Sequence, residues 1–148
     1  MPTWTEAAAH LRTRYTIARD EPTWIGMMWS FRAGDVEMEE PVRVELISAY
    51  DEDWLLVQAV VCKADRIEAA GALRWNSLVA IGGLALDGPY CVLRSALPLD
   101  TMAWRDLDRT ISFIARETPE GRPRTDVARW RGCAGATSGP AEGRLTWS

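Results

Sequence analysis

Leu84 to Asp100 reads LALDGPYCVLRSALPLD. Two short apolar runs flank Asp87-Gly88-Pro89, where Gly tolerates a left-handed turn and Pro fixes the next φ. The second run stops at Pro98, which has no amide hydrogen with which to extend a ladder. The stretch therefore predicts a β-hairpin, with Ala80 to Asp87 as one strand and Tyr90 to Leu97 as its return. Asp100 or Thr101 then offers an N-cap to a helix whose Trp104, Leu107, Ile111, Ile114 and Ala115 form one stripe. A lone hairpin is marginal in water, so the fold turns on which strands it joins.

Three strand-like runs lie upstream: WIGMMWSF (Trp24 to Phe31), VRVELISAY (Val42 to Tyr50) and WLLVQAVV (Trp54 to Val61). In the second, Val42, Val44 and Leu46 alternate with Arg43 and Glu45, the period of two of a sheet with one wetter face. The short Asp51-Glu52-Asp53 link predicts a hairpin between the second and third runs. Arg32 to Pro41 reads as a longer acidic connection, with Gly34-Asp35 as its turn and Glu37, Glu39 and Glu40 in solvent.

Helices frame these runs. Thr3 and Glu6 have capping-box spacing, and Trp4, Ala8, Leu11 and Tyr15 recur at intervals of three and four, predicting a first helix that ends near Tyr15. Asp20-Glu21-Pro22 marks a break. Asp65 offers an N-cap to a second helix over Arg66 to Asn76, with Ile67, Ala70 and Leu73 on one face. Its centre, Ala69-Ala70-Gly71-Ala72, carries little bulk, and Gly71 weakens it by about 1 kcal/mol relative to Ala, which implies a packing reason. The predicted order is α-β-β-β-α-β-β-α, an α+β fold in which helices accompany an antiparallel sheet.

With 148 residues, 47% of them hydrophobic, the chain suits one domain, placed over residues 1–118. Residues 119–148 are rich in Pro, Gly and Arg and read as a flexible tail. The net charge of −4 argues against a general nucleic-acid or anionic-membrane binder. No apolar run approaches the roughly 20 residues that span a bilayer, and the first residues lack signal-peptide character, so a cytoplasmic location is expected. Cys62, Cys91 and Cys133 are widely spaced and odd in number; neither a disulfide framework nor a zinc site is expected, and Cys62 and Cys91 read as small apolar packing residues.

Chemistry finds little footing. His10 is the single histidine, without a partner nearby in sequence for acid–base or nucleophilic work. The acidic turns lack calcium-loop spacing, and Gly82-Gly83 lacks both the dinucleotide and the P-loop pattern, so the glycines read as a strand bend or close approach. No catalytic residue, metal or cofactor is expected. The surfaces are more informative. Ile25, Met27, Trp29 and Phe31 alternate with Trp24 and Met28, so both faces of that run carry large apolar groups. One face serves the helices, and the other suits another chain. Met27, Met28, Trp29 and Phe31 are the expected partner contacts, and the first run and the late hairpin are the candidate sheet edges. Ala70, Gly71 and Leu73 suit a homodimer interface. Trp130, among Arg122, Arg124, Arg129 and Arg131, is a candidate docking motif.

Leu73-Arg74-Trp75-Asn76, the strand with Gly82-Gly83-Leu84-Ala85-Leu86, the Asp87-Gly88 turn, Val92-Leu93-Arg94 and Leu97-Pro98-Leu99-Asp100 together resemble the type III secretion chaperone-like superfamily. This superfamily includes the class I secretion chaperones and the YbjN-like proteins, and the element order matches over roughly residues 3–118. The resemblance implies an α+β sandwich that commonly dimerises and holds an unfolded client segment along its surface. It implies a non-catalytic protein binder; the alternative is a regulatory or structural subunit docked partly through its C-terminal tail.

Overall fold

The computed structural model describes residues 1–33, 35–79 and 81–118, the side chains of Phe31, Ala33, Val36 and Met38 excepted. The elements run α1 (Trp4–Arg14), β1 (Thr16–Glu21), β2 (Trp24–Ala33), β3 (Val36–Ala49), β4 (Glu52–Lys63), a 3₁₀ turn (Ala64–Arg66), α2 (Ala69–Asn76), β5 (Gly83–Asp87), β6 (Tyr90–Pro98) and α3 (Trp104–Glu117). The six strands make one antiparallel sheet in the order β1-β2-β3-β4-β6-β5. The fold is α+β, as expected, with one additional strand, β1, between the first helix and the first expected run.

Period-two alternation sorts the strands into faces. Ile25 and Met27 of β2, Val42 and Val44 of β3, Leu55, Val57 and Ala59 of β4, and Cys91 and Leu93 of β6 are buried in one core. Leu107, Ile111, Ile114 and Ala115 of α3 and Ala7, Ala8 and Leu11 of α1 close that core from above. Both helical stripes are the expected ones, because a 3.6-residue period is hard to mistake over three turns.

Tight turns set the registers. Glu21 pairs with Trp24, Ala33 with Val36, Ala49 with Glu52 and Asp87 with Tyr90, leaving two residues in each turn. The acidic stretch read as a connection is thus mostly strand. Glu40 is correspondingly buried, at 1% exposure, opposite Trp29, because it shares the parity of Val42 and Val44. Gly88 has φ +56 and Pro89 follows, the sequence of backbone signs that a II′ hairpin turn uses. The β3–β4 turn falls at Tyr50-Asp51, one residue earlier than the acidic triplet implied, and both residues adopt positive φ (56 and 61).

The two later helices begin after their expected caps. Asp65 and Arg66 sit in the 3₁₀ turn, which Ala64 anchors by donating its N–H to Pro89 O (2.8 Å), so α2 starts only at Ala69 with Glu68 as its cap. At α3, Leu99 donates to Asp53 O (2.9 Å), prolonging the sheet; the cap is Ala103, whose N–H donates to Asp106 (3.3 Å). The α1 capping box forms as expected, and Trp4 Nε1 ties that helix to Pro22 O (2.7 Å).

Arg12 donates twice to Asp20 (2.6 and 2.9 Å), pinning α1 to β1, and this guanidinium holds the Asp20 carboxyl below its usual range. A depressed folded-state value means that the contribution is present above the unfolded value, about 3.9, and is lost as pH falls through the folded one. Asp20→Asn should therefore flatten the stability loss seen below about pH 4 in acid unfolding followed by circular dichroism. A second expectation concerns the β3–β4 turn. Replacing Tyr50-Asp51 by Asn-Gly should raise stability by about 1 kcal/mol, read as a higher urea midpoint at unchanged slope, because Asn-Gly suits the two positive φ angles better.

Candidate protein-binding site

The sheet ends in two edges of different character. At β1, Arg19 and Asp20 are exposed, a bulge between Ile17 and Arg19 interrupts the register with β2, and Arg19 bonds Glu21 (2.8 Å). Charge and a bulge are the usual means of blunting an edge against further pairing. β2 is therefore interior, which corrects the expectation that its run forms an edge; the short charged stretch after α1 takes that place.

β5 is the other edge, and its residues Gly83-Leu84-Ala85-Leu86-Asp87 carry one charge at the far end. α2 packs along it. Asn76 from the last turn of α2 brackets Leu84, accepting from its N–H (2.7 Å) and donating to its carbonyl (3.3 Å). The carboxamide imitates the next strand for one residue. By antiparallel alternation, the N–H and C=O of Leu86 are the next pair directed outward. Gly82 sets the entry to this strand: its φ is +73, and a Cβ there would lie 2.6 Å from Arg94 O, so the bend requires glycine. At the far end, the buried Gln58 of β4 donates to Asp87 (3.0 Å).

Three of the large apolar side chains exposed among the described residues lie on this limb. Leu73 on α2 is 70% exposed, Leu78 just after it 83%, and Leu86 on β5 64%. Met1 and Tyr50 are the other large apolar side chains exposed to this degree among the described residues, and they lie at the chain start and at a hairpin turn. Local geometry accounts for those two, and Leu78 too lies in a turn, but a turn does not account for Leu73 and Leu86 on a helix and a strand of one limb.

The face of the sheet opposite the main core is mixed. Trp24, Met28, Pro41, Ile47, Trp54 and Leu56 are half-buried there, whereas Val60 and Val92 are buried. Arg43 stacks over Trp24 at 4.1 Å and approaches Glu45 at 3.2 Å, so the β1–β3 end of this face is capped by charge.

The residues expected to form sites fall as follows. Met27 is fully buried in the core, and Trp29 packs partly buried on the same side beneath Arg116 (5.1 Å). Met28 is half-buried on the opposite face; the Phe31 side chain and all of Trp130 lie outside the described residues. Ala70 and Leu73 are exposed on α2, while Gly71 is buried with Trp75. Leu78, Leu86 and Asn76 are not among the expected site residues, although Asn76 and Leu86 lie in the stretches that carry the family resemblance. Period two would turn Leu86 inward with Leu84, and its exposure is not legible in that pattern because a strand end can leave the core.

His10 has a structural setting. Its ring stacks on Trp104 at 5.0 Å, and its Nε2 lies 3.0 Å from Asp108, which also accepts from Tyr15 OH (2.6 Å) and lies 3.2 Å from Arg14 Nε. Burial, reinforced by Asp108, pushes the Tyr15 hydroxyl well above its usual value. Asp108 thus ties α1 to α3, a packing role. Among the described residues no group of three or more His, Cys, Asp or Glu is placed to hold a metal ion. No helix among them is long and apolar enough to cross a membrane.

No family model matches the chain, and no curated protein does. Among solved structures the chain is similar to one described as the structure of the HopA1-SchA chaperone-effector complex. The identity is 16% and the TM-score 0.49, over 78% of this chain and 88% of that one.

Removing the Asn76 carboxamide would leave Leu84 without its bracket. Asn76→Ala should cost about 1–2 kcal/mol, measured by urea unfolding, and should speed amide exchange at Leu84 while leaving β2 and β3 unchanged.

Proposed function

We propose that this chain binds another polypeptide without chemistry, holding an extended segment of it along β5 as a secretion chaperone holds its client. The observation that carries the reading is the exposed leucine set of the α2–β5 limb at an apolar edge strand. An added strand gains main-chain hydrogen bonds from the edge and apolar contact from flanking side chains, with specificity from alternate positions. Leu86 and Leu78 are the proposed client contacts, continuing the ladder that Asn76 begins. The sequence resemblance to the secretion chaperone-like and YbjN-like proteins points the same way, and a cytoplasmic location goes with it.

The same reading includes a homodimer. Ala70 and Leu73 on the outward side of α2 meet a second copy, while Gly71 draws the helix onto its own sheet. Met28, with Trp24 and Trp54, offers further contact area on the opposite face; contact through Met27 would require the core to open.

The partner recovered by affinity purification of the tagged full chain supplies the titrant. Leu86→Asp should weaken its binding at least about tenfold, or ~1.4 kcal/mol, with the thermal midpoint nearly unchanged. Equal affinity for both forms would refute the assignment of β5. Leu73→Glu should convert dimer to monomer in sedimentation. Loss of binding only on deleting residues 119–148 would favour a subunit docked through its tail.

A further inference from the structure

β4 and β6 pair so that Cys62 stands directly opposite Cys91, and both carry thiols. The register shifts between Val60 and Cys62, which sets Val61 and Cys62 together against Cys91. All three pack on the core side: Cys91 is 1% exposed, Val61 is buried, and Cys62 is half-buried against the same cluster. Paired residues of a regular antiparallel ladder have Cα atoms about 4.5 or 5.5 Å apart, within the ~4.4–6.8 Å that disulfides span, and the bulge at Val61 keeps Cys62 and Cys91 as Cα partners.

We propose that Cys62 and Cys91 are a redox pair that closes to a cross-strand disulfide under peroxide. The more exposed Cys62 acts first: its thiolate attacks the peroxide O–O bond, giving a sulfenic acid and releasing water or an alcohol. Cys91 sulfur then attacks the Cys62 sulfur, forming the S–S bond and expelling the sulfenic oxygen as water. Two thiols lose two electrons and two protons in total, and the peroxide takes up both; a dithiol reductant reverses the change.

The bond would close the segment from Lys63 to Tyr90, which contains the 3₁₀ turn, α2 and β5, and which is already pinned at its base by the bond from Ala64 to Pro89. Oxidation would fasten this limb to the sheet. The inference rests on the β4–β6 register and holds whether or not the limb binds a partner.

Cys133 lies outside the described residues, so the test uses full-length Cys133→Ser protein, treated with hydrogen peroxide, alkylated after unfolding, and digested without reductant. The expected product is a peptide pair joined through Cys62 and Cys91, lighter than the two thiol peptides by two hydrogen atoms. Neither cysteine is then alkylated, and the thermal midpoint rises by several degrees and falls back with dithiothreitol. Cys62 oxidised to sulfinic acid beside an alkylated Cys91, a link between two chains, or two alkylated thiols would each overturn the proposal. In folded Cys62→Ser and Cys91→Ser proteins the midpoint should no longer respond to peroxide.

Discussion

Everything beyond the β1–β4 meander depends on the pairing of β4 with β6. β4 is the most buried strand, and Leu55, Val57, Ala59, Val60 and Val61 line its length. The chain leaves it through the 3₁₀ turn, passes α2 and β5, and returns as β6 alongside β4. That return closes a long loop before any contact rewards it, so it must be secured by burial; Cys91, Val92 and Leu93 supply that burial from the β6 side. Because β6 takes the place beside β4, β5 is forced to the edge and α2 to its flank. The same register sets Cys62 against Cys91.

The two edges of the one sheet are protected by different means and to different lengths. β1 carries charge, a bulge and the Arg12–Asp20 clamp. β5 carries Leu84 and Leu86 and a single carboxamide clamp from Asn76, which occupies one residue's worth of the outward ladder. An isolated chain gains nothing from exposed leucines beside such an edge, whereas a chain that pairs with another polypeptide does. The asymmetry is the physical basis of the proposed function.

Much of the fold was legible in the sequence because it rests on local periods. The α3 stripe, the Thr3–Glu6 box, the Val42–Val44 alternation and the Asp87-Gly88-Pro89 turn all formed where patterning put them. β1 was not legible: TIARDE is short and charged and follows α1 without a linker, and edge strands avoid the apolar alternation by which strands are recognised. Glu40 was misplaced because its acidic neighbours suggested solvent, although counting back by twos from Val44 reaches it. The α2 and α3 starts shifted because long-range bonds, Ala64 to Pro89 and Leu99 to Asp53, held the chain extended past the apparent caps. Site residues suffered most. Leu73 was picked out, but the exposure of Leu78 and Leu86, the clamp of Asn76 and the Cys62–Cys91 match all depend on which arm of the late hairpin meets β4.

The most direct measurement is hydrogen–deuterium exchange of the full chain, alone and saturated with its recovered partner. The account predicts slowed exchange in β5, centred on the Leu86 amide, and in α2, with β1 unaffected. Protection confined to β1, or to segments remote from the α2–β5 limb, would contradict it.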